Sequence, residues 1–282
     1  MKLLRVGSAG AERPALLAAD GTLRDLTGLI RDIDGDFLSG GGLDRVRAAA
    51  QAADLPLLES PGRVGPPVAR PGKVVCLGLN YRDHAAETGA EVPTEPILFM
   101  KAPNTVVGPD DDVLIPRDSE KTDYEVELAI VIGRPARYLD GPEQAKDVIA
   151  GYAVSNDVSE REFQLERGGT WDKGKSCETF NPLGPYLVTA DEVPEPQELS
   201  LKLWVNGEPR QDGGTKDMIF GVYETVAYIS RFMVLEPGDV INTGTPAGVA
   251  LGRPDHPYLR EGDIVELTID GLGRQRQRLA RA

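Results

Sequence analysis

The sequence predicts an α+β fold, mainly β, with a small N-terminal α/β domain over 1–60, a linker over 61–72 and a main domain over 73–282. Three observations predict it. Strand signals come in runs: KVVCLGL, EVELAIVIG, IAGYAVSNDV, LSLKLWVNG, DVINTG and DIVELTID. Helix signals between them are few, which argues for an antiparallel or mixed sheet and against a doubly wound parallel one. A stretch dense in Pro and Gly without hydrophobic periodicity, ESPGRVGPPVARPG, separates the first sixty residues from the rest.

In chain order, RPALLAADGTLRDLTGL places two short apolar runs around Asp20-Gly21, a common hairpin turn pair. LDRVRAAAQAADLP then reads as one short helix. Beyond the linker, NYRDHAAE is long enough for two helical turns. FGVYETVAYISRFMV puts Val222, Val226, Ile229 and Met233 on one helical stripe. In PGDVINTG and EGDIVELTID a Gly-Asp turn feeds apolar alternation. A chain of 282 residues suits one large domain with a smaller companion.

With 31 Lys and Arg against 45 Asp and Glu, the net charge of -14 repels polyanions, so nucleic acid is not an expected partner. Two cysteines, Cys76 and Cys177, make no disulfide framework, and Cys76 in its apolar run reads as a small buried hydrophobe. MKLLRVGS meets Arg5 and Gly7 before a signal core develops, and no apolar stretch reaches the ~20 residues of a membrane span. The expectation is a cytoplasmic protein with no membrane partner.

The stretch KTDYEVELAIVIG carries the chemistry. As a strand it sends Val126, Leu128, Ile130 and Ile132 to one face, and Asp123, Glu125 and Glu127 to the other. Such a row of acids faces either water, the commoner case in half-solvated sheets, or a cation. Carboxylates are hard ligands suited to Mg²⁺ or Mn²⁺, with Ca²⁺ fitting a larger cage. Asp157, where IAGYAVSNDV turns polar, is the candidate third ligand. The only histidines, His84 and His256, neighbour no cysteine, so zinc is disfavoured.

If NYRDHAAE is helical, His84 and Glu87 share a face at i, i+3, as a general base and its orienting acid would, or as a plain surface pair would. His256, between prolines, reads as a loop residue. TWDKGKSCETFNPLGP brings Lys173, Lys175 and Cys177 into one loop, with no histidine nearby in sequence to activate the thiol. NTGTPAGV lacks the Gly-Lys-Ser/Thr ending of a phosphate loop and reads as a tight turn able to hold a carboxylate.

The order GLNYRDHAAE, DYEVELAIVIG, NDVSERE, GKSCETFNPLGP and NTGTPAGV resembles the fumarylacetoacetate hydrolase family, from about residue 73 to the C-terminus. Within it, ARPGKVVCLGLNY, FQLERGGTWDKGKS, TKDMIFGV and the N-terminal DGTLRDL module are most similar to 2,4-diketo-3-deoxy-L-fuconate and -L-rhamnonate hydrolases. The resemblance implies a mixed β-roll, commonly a homodimer, with Glu125, Glu127 and Asp157 as ligands of Mg²⁺ or Mn²⁺; Asp123 is not carried over. It implies His84 and Glu87 as a water-activating pair on a lid helix that orders over substrate, and Lys175 as the active-site lysine. It places Thr245 at the substrate, with Gln164 and Lys101 as further contacts. The implied reaction is hydrolysis of a C–C bond in a 2,4-diketo acid to pyruvate and, for these sugar acids, L-lactate. Alternatives on the same scaffold are an acylpyruvate hydrolase, an oxaloacetate decarboxylase and a ureidoglycolate lyase; a remote one is a non-catalytic binding protein. Asn181, where glycine is expected after the Thr-Phe pair, departs from the pattern in the pocket-lining loop.

Overall fold

The computed structural model describes residues 1–52 and 54–282. Among them a ten-stranded sheet runs in the order Leu23–Asp25, Arg13–Leu17, Lys2–Val6, Leu187–Thr189, Ile149–Asn156, Val126–Ile132, Val240–Asn242, Val74–Gly78 and Ile97–Lys101, with Val64–Gly65 paired beside Lys2–Val6. Val240–Asn242 runs parallel to Val74–Gly78 and its other pairings are antiparallel, so the sheet is mixed. A five-stranded sheet, Glu208–Gly214, Ser200–Val205, Ile264–Ile269, Gly273–Arg281 and Val113–Ile115, packs against it. The fold is mostly β, as the strand signals require.

The N-terminal hairpin forms as read, with Gly21 at a φ of 81° between its strands. The strand Lys2–Val6, paired with Arg13–Leu17, also hydrogen-bonds with Leu187–Thr189, so the N-terminal strands extend the large sheet. The stretch read as a linker contributes Val64–Gly65 to that sheet. Of the expected helical stripe, Val222, Val226 and Ile229 are buried in the helix Val222–Ile229, and Met233 lies past its end.

Every residue of Val126–Ile132 and of Ile149–Asn156 is buried, which removes the solvated face allowed by period-two alternation. On one side, Val126, Leu128, Ile130 and Ile132 pack with Leu201, Leu203, Val265 and Leu267 of the second sheet. Each such side chain contributes about 1.5–3 kcal/mol by leaving water. On the other side, Ala129 packs with Cys76 and Val240, and Val131 with the N-terminal unit. Glu127 stands on that second side, one strand repeat before Ala129. A carboxylate is thereby buried at the end of an apolar row, and its environment has to be supplied by neighbouring elements. Among the described residues no helix is long and apolar enough to cross a membrane.

Candidate metal centre and active site

The antiparallel pair Val126–Ile132 and Ile149–Asn156 ends in register, Val126 opposite Asn156. The chain leaving each strand therefore meets its neighbour. Asp157 N donates to Glu125 O at 3.0 Å, and Glu125 N donates to Asn156 Oδ1 at 3.1 Å. Strand geometry then carries Glu127 to the same side as Glu125. Carboxylate oxygens of Glu125, Glu127 and Asp157 lie within 4.8 Å of one another, and all three residues are buried.

Cations partner two of the three acids. Lys175 Nζ donates to Glu125 Oε2 at 2.7 Å and Asp157 Oδ2 at 2.8 Å. Arg161 Nη2 donates to Glu125 Oε1 at 2.6 Å, and Lys101 Nζ to Asp157 Oδ1. Burial pushes the Glu125 carboxyl up, but Lys175 and Arg161 outweigh it and hold the group well below the usual carboxylate range. Burial also opposes the charge of Lys175, yet Asp157 and Glu125 keep its ammonium well above its ordinary value. Glu127 makes no ion pair among the described residues; its Oε2 accepts only the Gly244 amide, at 2.7 Å. Burial, then the charges of Asp157 and Glu125, push its carboxyl well above the ordinary range. Three convergent carboxylates, one without a counter-charge, are a donor set that fits a hard divalent cation.

His84 lies on the short helix Arg82–Glu87 and is 7% exposed. Its Nδ1 is 2.8 Å from Glu87 Oε1. With Glu87 ionised, Nδ1 carries the proton and Nε2 is left free to accept one. The other oxygen of Glu87 accepts the Gly248 amide at 2.9 Å. Asp83 does the same work beside it, taking the amides of His84 at 2.8 Å and Ala247 at 3.2 Å. The loop following Val240–Asn242 thus holds both ends of the machinery: Gly244 fixes Glu127, while Ala247 and Gly248 fix the helix of His84. Gly244 sits at a φ of 91°, and a Cβ there would lie 2.8 Å from that of Asn80, so this turn needs glycine.

Of the expected substrate residues, Gln164 and Thr245 line the cavity over this centre, together with His84, Glu125, Glu127, Arg161 and Lys175. The Thr245 hydroxyl is already engaged, donating to Val126 O at 2.9 Å and accepting from Gln211 Nε2 at 2.7 Å. Lys101 does not line the cavity. Its side chain is fully buried and donates to Asp157 and to Val158 O, so it supports a carboxylate from behind. Burial pushes the Cys177 thiol up to about 11, in keeping with an inert side chain. His256 is a loop residue whose Nδ1 lies 3.3 Å from Ala250 O.

Sequence reasoning missed Arg161, Asp83 and the partners of Asp123. Asp123 is fully buried; its oxygens accept from Arg161 Nε at 2.8 Å and from the amides of Ala250 and Leu251 at 2.8 and 3.0 Å. One guanidinium thus ties Asp123 to Glu125, with Nη1 on Gln164 Oε1 at 3.0 Å. A signal was available: Arg161 follows Asp157 by four residues inside NDVSERE, close to a cluster of acids.

Comparison with known proteins places the chain in a family. Residues 73–280 match the family model described as fumarylacetoacetate hydrolase, C-terminal. A protein of Burkholderia multivorans, classed provisionally as a hydrolase, is 53% identical over 278 residues, covering 98% of each chain. The structure of maleylpyruvate hydrolase from Sphingobium superposes with a TM-score of 0.82 at 29% identity, covering 100% of both chains. That of 2-hydroxyhepta-2,4-diene-1,7-dioate isomerase from Mycobacterium marinum superposes with a TM-score of 0.75 at 32% identity, covering 100% of this chain and 98% of the other. A buried carboxylate triad that fits a metal, on a fold shared with a hydrolase and an isomerase, is the setting of an enzyme, and the chain belongs to the fumarylacetoacetate hydrolase family.

Proposed function

We propose that this enzyme hydrolyses the C3–C4 bond of a 2,4-diketo acid, and that 2,4-diketo-3-deoxy-L-fuconate or -L-rhamnonate is its substrate, giving pyruvate and L-lactate. The observation that carries the reading is an oriented imidazole, His84 on Glu87, lining the same cavity as Glu125 and Glu127. A protein that only binds its ligand has no need of such a base. Glu125, Glu127 and Asp157 would hold the cation. Bound there, Mg²⁺ or Mn²⁺ supplies Lewis-acid stabilisation of negative charge on the substrate's oxygens.

The side chains do the rest. His84 Nε2 takes a proton from water, and the water oxygen adds to the C4 carbonyl carbon. As C3–C4 breaks, its electron pair goes to C3, leaving the enolate of pyruvate. The water oxygen ends in the carboxylate of lactate, and a proton from His84 completes the methyl group at C3. Lys175 spends two of its three N–H donors on Glu125 and Asp157, which leaves one for an oxygen of the substrate. Gln164, positioned by Arg161, is the further polar contact in reach of the head group.

The similarity to an isomerase supports a second reading, proton transfer between carbons without bond cleavage, for which His84 could equally serve. One assay separates the two: the diketo sugar acids and simple acylpyruvates are incubated with Mg²⁺ or Mn²⁺, and pyruvate and lactate are measured together. Equimolar release supports hydrolysis. Spectral change without pyruvate supports isomerisation, and no change with any of them refutes both.

A further inference from the structure

Building on that reading, we propose that the outer half of the cavity selects diketo acids whose acyl tail ends in hydrocarbon and rejects tails that end in a carboxylate. The cavity holds about 230 Å³ and is two-sided. Its inner end carries Glu125, Glu127, His84, Arg161, Gln164 and Lys175. Leu77, Leu79, Ala90, Phe99, Leu165 and Trp171 form the other wall.

Three features make this wall a built surface. Phe99 meets Trp171 edge-on, ring centroids 5.4 Å apart, and lies with its face 4.9 Å from Lys175 Nζ, so the aromatic pair begins at the charged centre and leads away from it. The indole has its seat on Gly78, where a Cβ would come within 2.4 Å of the ring; only glycine leaves room for it. Leu79 is held at a φ of 53°, in the left-handed region that a branched side chain rarely adopts, and it lines the cavity.

A charged partner is missing along the same wall. Thr88 and the Trp171 indole N–H are its polar groups, neither of them charged, and the Thr88 hydroxyl donates to His84 O at 2.9 Å within the helix turn. Each nitrogen of Arg161 already makes one bond at the inner end, to Asp123, Gln164 or Glu125. Lys175 is shared between two carboxylates. Among the described residues, therefore, no unpaired cation lines the cavity. A carboxylate at the tail would lose its water, gain no cation of its own and face the acids of the inner end. A terminal methyl, as in a 6-deoxy sugar acid, or a short alkyl chain meets only carbon. At about 230 Å³, below the ~300–1,000 Å³ usual for drug-sized ligands, the cavity also keeps the tail short.

The test is a matched pair of synthetic substrates with seven carbons, 2,4-dioxoheptanoate and 2,4-dioxoheptanedioate, assayed on the Mg²⁺- or Mn²⁺-loaded enzyme. The monoacid is expected to exceed the diacid in kcat/KM by about tenfold or more, as a site offering a buried group no partner requires. Trp171→Ala is expected to lower kcat/KM for the heptanoate about tenfold, and to change that for 2,4-dioxopentanoate less than threefold. Leu165→Lys, at a half-exposed edge of the wall, is expected to raise turnover of the diacid and supplies the answer if the tryptophan variant does not fold. Equal turnover of the two acids, or a preference for the diacid, overturns this inference and leaves the hydrolase reading standing. Turnover of neither overturns this inference, and overturns the hydrolase reading as well only if the diketo sugar acids are also left intact.

Discussion

Two networks of charge stand in this molecule, one half-buried and one buried, and they are built differently. At the junction of the N-terminal unit and the main domain, Arg5 holds Asp32 through two bonds of 2.6 and 3.0 Å. Arg63 holds Glu12 at 2.9 Å and pairs with Asp111. Each acid there faces a guanidinium. At the candidate metal centre Asp123, Glu125 and Asp157 are likewise paired with Arg161, Lys175 and Lys101, but Glu127 is left with a single backbone amide. A network that only has to hold two parts together satisfies every charge. One that has to receive a cation keeps a carboxylate in reserve. The difference turns on partners: removing an acid from the first network takes a partner from a guanidinium, while removing Glu127 from the second takes none from any cation.

The largest effect that sharpens this contrast belongs to Glu127→Gln. Turnover is expected to fall below detection, while the metal-free variant melts at a temperature no lower than the metal-free wild type, because repulsion from Asp157 and Glu125 is relieved. A marked loss of melting temperature would place Glu127 with the structural acids. Next is His84→Ala, expected to lower kcat by about 10²–10⁴ with Mn²⁺ affinity unchanged, read by steady-state kinetics and metal titration on one preparation. Asp83→Asn removes the charge that takes the amides of His84 and Ala247. A roughly tenfold loss in kcat with little change in KM is expected of a residue that acts through His84; an unchanged kcat would make Asp83 a cap alone. Smallest is Glu12→Gln in the junction, which leaves turnover intact and costs about 1–3 kcal/mol in urea unfolding, since it deprives two guanidinium groups of a partner. If it abolished activity instead, the two networks would not be separable.

Much of the centre was legible from residue types and spacing. Period-two alternation puts Glu125 and Glu127 on one side, and a strand end locates Asp157 beside them. The i, i+3 spacing of His84 and Glu87 gives the contact seen at 2.8 Å. What the alternation left open was whether the acid face is wet, because burial of a strand is decided by what folds over it. Here the Arg161 helix, Lys101 and the Gly244 turn cover it, and none is local in sequence. The same reason hid the strand Gly273–Arg281, whose run of arginines reads as surface. Its alternate residues Gln275 and Gln277 are buried and hydrogen-bond to Val154 O and Asn156 Nδ2 across the main sheet. Polar residues buried by partners distant in the chain leave no apolar period to read. Lys101 was expected at the substrate for a related reason. A lysine next to an active site can face the ligand or support the acids, and only the packing of Ile97–Lys101 against Val74–Gly78 decides which.

The claim on which the account turns is that Glu125, Glu127 and Asp157 form one divalent-cation site. Calorimetric titration of the purified protein with Mn²⁺ tests it most directly, with Glu127→Gln and Glu12→Gln titrated alongside. The account predicts one ion per chain for the wild type and for the junction variant, and none for Glu127→Gln. A wild type that takes up no Mn²⁺ or Mg²⁺, or a Glu127→Gln variant that binds as the wild type does, would contradict it.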